Sequence, residues 1–130
     1  MYQFLYPNGA FVSVTQETIT KTPYTFDIKS GIWEPRSIEF FFSLVDQKHQ
    51  NTDAVIVDVG AQSGLYSLYA KFLPSCQFHA FEPFQDTYSL LLDNLHLNNI
   101  GNVKTYPFAL GSKKETKVLH VPEHLGLNTL

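Results

Sequence analysis

The sequence predicts an α/β fold: a doubly wound, mostly parallel sheet, incomplete at its end, with an N-terminal β-hairpin and helix extension. Three observations carry this. Short apolar runs rich in β-branched residues, of the kind that parallel sheets bury on both faces, alternate with segments of helical periodicity. The connections between those runs are too long for hairpins, so they are crossovers, which are right-handed in nearly all sheets. The first run leads into Gly60-Ala61-Gln62-Ser63-Gly64, with two glycines where strand gives way to helix. Composition agrees, since 44% hydrophobic and 15% aromatic residues against 16% charged ones describe a packed domain, not a disordered chain. A chain of 130 residues buries enough surface for one core without disulfide staples.

The elements follow in order. Residues 2–15 read as a hairpin, because YQFLY and AFVSVT are β-rich and Pro7-Asn8-Gly9 supplies a turn between them. Thr18 to Ser30 is Thr-rich and ambiguous, with a short strand expected at Tyr24 to Ile28. Pro35 opens a helix, a position where its missing N–H costs nothing, and Ile38, Phe41, Phe42 and Val45 recur at helical spacing over 35–49. AVIVDV, residues 54–59, is a strand buried on both faces. A helix over 65–72 stops at Pro74. QFHAFE, residues 77–82, is the second parallel strand, and Tyr88, Leu91, Leu92, Leu95 and Ile100 mark the inner face of a helix over 85–98. NVKTYPFAL, residues 102–110, is the third strand, with Pro107 at a bulge or strand end. Thr116 to Val121 is a fourth. Residues 1–34 then form a β-rich extension and 35–130 the sheet domain.

Charge and cysteine narrow the function. The net charge is −3, and the one lysine cluster, Lys113, Lys114 and Lys117, is interrupted by Glu115, so there is no basic face for a nucleic acid. Cys76 stands alone, which excludes an internal disulfide and a Cys-rich zinc site and fits a reducing, cytoplasmic setting. The first ten residues lack the basic and apolar regions of a signal peptide, and no apolar run reaches the roughly 18 residues of a membrane span.

In such sheets ligands sit at the carboxyl ends of the strands. Asp58 with Gly60 and Gly64, Glu82, and Ala109-Leu110-Gly111 all fall there. A dinucleotide loop needs G-x-G-x-x-G to hold a pyrophosphate on a helix N-terminus, and Gln62 stands where the middle glycine belongs. Asp58 would repel a pyrophosphate and attract a cation. S-adenosylmethionine carries an ammonium, a sulfonium and a ribose but no phosphate, so Asp58 suits its amino-acid end and Glu82 its two ribose hydroxyls. The plainer alternatives are that Asp58 caps a helix and that Glu82 is an acid favoured by a helix dipole. Glu34 has the same two readings. Trp33 and His79 read as structural, His120 and His124 as no metal pair because Pro122 lies between them, and Cys76 has no activating partner.

VIVDVGAQSGLYSLYAKF, HAFEPF, LLLDNLHLNN and VKTYPFALGSKK, in that order, resemble the FkbM-type methyltransferases, S-adenosylmethionine-dependent enzymes of the Rossmann-like class. The resemblance covers about residues 31–130, from GIWEP to GLNTL. It implies that Asp58, Gly60, Ala61, Gln62 and Gly64 line the methionine end of the cofactor and that Glu82 holds the ribose. Pro83 and Phe84 would lie near the adenine, with Ala109 and Leu110 on its other side. Gln62 replaces a usual asparagine and Ser63 a usual aliphatic residue. The family's later acidic segment has no counterpart in these residues. The resemblance implies O-methylation of a sugar or other small hydroxyl compound. No catalytic base stands out, and no metal is implied. Two other readings stay open: a truncated binding module that acts through a partner, and an NAD or nucleotide-sugar enzyme, which Asp58 disfavours. A sheet cut at this point leaves an unpaired edge and apolar surface, so self-association or a partner chain is expected.

Overall fold

A computed structural model describes residues 2–22, 35–49 and 54–121. The strand expected at 24–28, Trp33, Glu34 and His124 lie outside them.

The chain begins with the antiparallel hairpin, Tyr2–Leu5 (β1) paired with Phe11–Val14 (β2) in the register Tyr2↔Val14 to Leu5↔Phe11. Its turn closes by Tyr6 N–H donating to the Ala10 carbonyl at 2.8 Å, with Gly9 at φ +84°. Alternation puts Phe4, Val12 and Val14 into the core. A short helix, Gln16–Lys21 (α1), follows directly where the sequence was ambiguous. Thr15 makes it possible, since its hydroxyl accepts from the Thr18 N–H at 3.1 Å and satisfies one orphan donor of the first turn. Helix Pro35–His49 (α2) buries Ile38, Phe42 and Val45 on one stripe.

Val55–Val59 (β3), Gln77–Phe81 (β4) and Val103–Tyr106 (β5) form a parallel sheet in the order β3-β4-β5. The β4–β5 crossover carries helix Gln85–Leu97 (α3). One face of the sheet is packed: Phe78 and Ala80 are fully buried in the same core cluster as Leu68, Tyr69, Leu91 and Leu95. The result is a mixed α/β architecture with a parallel sheet and an N-terminal antiparallel hairpin.

Four expectations are corrected. The β3 strand is not buried on both faces: Val55, Val57 and Val59 are 65%, 54% and 63% exposed, because no described residue packs on their side. The segment over 65–72 is a turn at Leu65 and Tyr66 and then a 3-10 helix, Ser67–Phe72, not an α-helix. Its tighter winding, with Tyr69 N–H donating to the Tyr66 carbonyl at 3.1 Å, accompanies the tether of Ser67 to Asp58 and the wedging of Tyr66 and Tyr69 against Phe41 and Phe42. On α3 the inner face is Thr87, Leu90, Leu91, Asn94 and Leu95, while Leu92 is exposed. Residues 116–121 form no strand; only an isolated bridge at His120 occurs there, and the segment is largely exposed. β5 itself ends at Tyr106, one residue before the proline that cannot donate to a ladder.

Three asparagines bind these layers. Asn94, fully buried, donates from Nδ2 to Thr18 Oγ1 at 2.8 Å and to the Ser63 carbonyl at 3.0 Å, and its Oδ1 accepts from the Thr15 N–H at 2.9 Å. Asn98 accepts from the Ser13 N–H at 2.9 Å and donates to the Ser13 carbonyl at 2.7 Å. Asn102 Nδ2 lies 3.0–3.2 Å from the carbonyls of Ala70, Leu73 and Cys76 at the end of the 3-10 helix.

Candidate cofactor site

The site is built where β3 and β4 end side by side. Parallel register sets Asp58 beside Ala80 and Val59 beside Phe81, so the loop after β3 meets Glu82 after β4. Two loop amides, Gly60 N–H and Ala61 N–H, both donate to the Phe81 carbonyl, at 2.9 and 3.0 Å. Gln62 N–H donates to Glu82 Oε2 at 2.8 Å, and Gly64 N–H to the Ala61 carbonyl at 2.7 Å. Gly60, Gln62 and Gly64 all hold positive φ, at +77°, +50° and +93°. At Gly64 the requirement is twofold, because a Cβ there would also overlap the Leu91 side chain.

Glu82 is 2% exposed. Its second oxygen, Oε1, accepts from the Phe84 N–H at 2.9 Å, so the carboxylate is fixed by two backbone donors and each oxygen retains acceptor capacity. Asp58 Oδ2 accepts from Ser67 Oγ at 2.6 Å. Burial raises the Asp58 carboxyl above the ordinary aspartate range; the Ser67 bonds work against that rise and the nearby Glu82 charge adds to it.

That shift carries a prediction. A carboxyl with a raised pKa in the folded state binds its proton more tightly there than in the unfolded chain, so its ionised form lowers stability above the folded pKa. The loss is relieved as pH falls through that value. Asp58→Asn is therefore expected to raise the melting temperature of the ligand-free protein at pH 7, with the advantage shrinking as the pH is lowered. Calorimetry between pH 4 and 8 checks it, and a variant that melts lower at pH 7 would show that the carboxylate is well solvated.

The adenine-side candidates also converge. Pro83, Ala109 and Leu110 line one pocket of about 360 Å³ together with Pro107 and Phe108, and Lys113, Glu115 and Lys117 stand at its wall. Phe84 is not among the lining residues; it is the residue before α3, where its amide serves Glu82. Glu115 pairs with Lys113 at 3.7 Å and Lys117 at 3.2 Å. His79 Nδ1 lies 2.9 Å from the Tyr106 hydroxyl, its ring stacked on that tyrosine. Cys76 is buried, and among the described residues no acidic, His or Cys group could hold a metal ion. No helix among them is long and apolar enough to cross a membrane.

Three residues matter here that sequence reasoning did not place: Ser67, which holds Asp58; Asn94, which holds the Ser63 carbonyl; and Tyr6, whose hydroxyl donates to the Leu65 carbonyl at 2.7 Å. For Asn94 a signal existed, since it recurs with Asn98 and Asn102 at four-residue spacing beside an apolar stripe.

No protein-family model matches the chain. In sequence it is similar to Methyltransferase 1 of Beauveria bassiana, 34% identical over 80 residues, which are 60% of this chain and 32% of that protein. The chain thus spans about a third of the length of the curated relative it matches. In fold it is similar to the N-terminal domain of human METTL16 crystallised with SAH (S-adenosylhomocysteine), with a TM-score of 0.51 and 15% identity over 92% of this chain and 56% of that one. A second crystal structure of that domain gives 0.49 at the same identity and coverage. The likeness to that domain is one of fold, the Rossmann-like α/β architecture with a parallel sheet.

Proposed function

We propose that this chain is the cofactor-binding part of an S-adenosylmethionine-dependent methyltransferase of the FkbM type, acting on a hydroxyl of a sugar or other small compound. Residues 35–130 are the cofactor domain and 1–34 its extension. The observation that supports this most is that the glycine loop has spent its donors. Gly60, Ala61, Gln62 and Gly64 all give their N–H groups to protein acceptors, so these amides are not free to cradle a phosphate. What the strand ends offer instead is two carboxylates, Asp58 and Glu82. Their chemistry fits a ligand with an ammonium and a ribose and does not fit a pyrophosphate.

When bound, the cofactor supplies a methyl group on a sulfonium. The chain's own residues orient it. Asp58, steadied by Ser67, attracts the ammonium; Glu82, steadied by Gln62 and Phe84, accepts from the ribose hydroxyls; Pro83, Ala109 and Leu110 enclose the adenine. A second reading, a binding module completed by a partner or a second copy, draws on the exposed Val55, Val57 and Val59.

Isothermal titration with S-adenosylhomocysteine and with NAD tests the first reading, and tighter binding of NAD would sink it. Glu82→Ala is expected to weaken S-adenosylhomocysteine binding at least about tenfold, because hydrogen bonds to a charged group contribute roughly 1.5–3 kcal/mol and 1.4 kcal/mol is a decade. Glu82→Gln, which keeps one acceptor, falls between. An unchanged dissociation constant in a folded Glu82→Ala protein would return Glu82 to a purely structural role.

A further inference from the structure

The N-terminal hairpin and α1 are tied to the glycine loop at two points, one direct and one through Asn94, and the two points bracket Gly64. On one side the Ser63 carbonyl accepts from Asn94 Nδ2 at 3.0 Å, and the same amide nitrogen donates to Thr18 Oγ1 on α1 at 2.8 Å. Both Nδ2 hydrogens are therefore used, one on the loop and one on the extension, while Oδ1 takes the Thr15 N–H. On the other side the Leu65 carbonyl accepts from the Tyr6 hydroxyl at 2.7 Å. Thr18, Asn94 and Tyr6 are each at most 2% exposed, so no water competes freely for these bonds. Burial also keeps the Tyr6 phenol protonated, as its donor role requires.

Gly64, at φ +93°, holds a left-handed conformation that the lack of a side chain permits. Rotation about its φ would turn the Ser63 carbonyl, on the peptide plane before it, relative to Leu65 and its carbonyl, which lie beyond it. Fixing both carbonyls restrains that rotation before any ligand arrives, in addition to the loop's own bonds at the Gly64 N–H and carbonyl. We infer that Tyr6 and Thr18 are positioning residues for the cofactor loop: the N-terminal extension braces the two carbonyls that flank Gly64, Tyr6 directly and Thr18 through Asn94, and so preorganises the site. This rests on the reading of that loop as a cofactor site. None of the three side chains has to touch the ligand.

The test compares Tyr6→Phe and Thr18→Val, which remove one hydroxyl each at nearly constant shape, with Thr18→Ser, which restores the acceptor. Amide hydrogen exchange is read in the ligand-free protein. Exchange at Gln62 and Gly64 is expected to quicken at least about fivefold in Tyr6→Phe and Thr18→Val, the range a lost net hydrogen bond supports. Exchange at Phe78 and Ala80 in β4 should stay within about twofold. Thr18→Ser should return the loop rates to the wild-type values. Titration with S-adenosylhomocysteine should show affinity lowered about three- to tenfold in the first two variants and recovered in the third. Loop amides that do not respond, or that respond only as much as β4 does, overturn the inference, because a general loss of stability moves both. If the loop amides respond as expected while the wild-type protein binds no S-adenosylhomocysteine, the brace stands and the cofactor reading falls. Should Thr18→Val not fold, Tyr6→Phe carries the same comparison alone.

Discussion

Gly64→Ala is expected to lower stability by about 3 kcal/mol, the sum of a left-handed backbone penalty of roughly 1–2 kcal/mol and an overpacking cost of similar size. At about 4 °C per kcal/mol for a domain of this length, the melting temperature should fall by about 12 °C. Both causes are local and separable. Gly64 sits at φ +93°, and its added Cβ would overlap a methyl of Leu91, a fully buried residue of α3 whose side chain has little room to withdraw. Gly60 is the control. It too has positive φ, at +77°, but nothing lies within 4 Å of its missing Cβ. Gly60→Ala should therefore cost only the backbone part, roughly 1–2 kcal/mol. Urea unfolding of both variants checks the pair. Equal losses would mean that Leu91 repacks freely and that the α3–loop contact is looser than its geometry.

Asn94→Ala should be comparably damaging, by about 3 kcal/mol, because it takes a partner from three polar groups at roughly 1–3 kcal/mol each, reduced by partial relaxation and by the Thr15 hydroxyl that remains beside the Thr18 hydroxyl. The groups are the Thr15 N–H, the Thr18 hydroxyl and the Ser63 carbonyl. They belong to the hairpin end, the adjoining α1 and the distant glycine loop, so one amide on α3 ties the N-terminal elements to the loop. The expected readout is a urea midpoint shifted strongly downward with an unchanged slope, the sign of lost stability without a changed denatured state. A loss under about 1 kcal/mol would mean that water takes the place of the amide.

The two predictions separate what could be read in the sequence from what could not. The hairpin, the three parallel strands, the α3 crossover and the positions of the carboxylates at the strand ends were legible because they follow from one-dimensional pattern: β-rich and β-branched runs, turn residues and helical spacing. AVIVDV placed Asp58 and QFHAFE placed Glu82 with no help from tertiary contacts. The role of Asn94 was not legible despite its regular spacing with Asn98 and Asn102, since an asparagine on a helix ordinarily reads as solvated, and only contact with residues some 76–79 positions earlier makes it core. For the same reason α1 was missed. Threonine is a poor helix former, and the Thr15 cap and the burial of Thr18 and Ile19 against the rest of the core outweigh that weak propensity. The 3-10 winding of Ser67–Phe72 likewise accompanies a bond to Asp58 that no periodicity announces. The burial of β3 failed in the opposite direction. Val55, Val57 and Val59 have the composition of a covered strand, but composition reports what a face requires, not what packs on it.

The Asn98 amide, which takes up both the N–H and the carbonyl of Ser13, imposes an order in time. It does for β2 what a third strand would do, and it lies 85 residues further along the chain. At synthesis rates of roughly 5–20 residues per second, the ribosome needs about 4–17 s to deliver it after Ser13 has been made. Throughout that interval the Ser13 N–H and carbonyl lack their partner, although Phe42 and Tyr69, the aromatic neighbours of Tyr6, are made within it. An element made before α3 is thus completed only after it, and the ordering of β2 is timed by the arrival of α3.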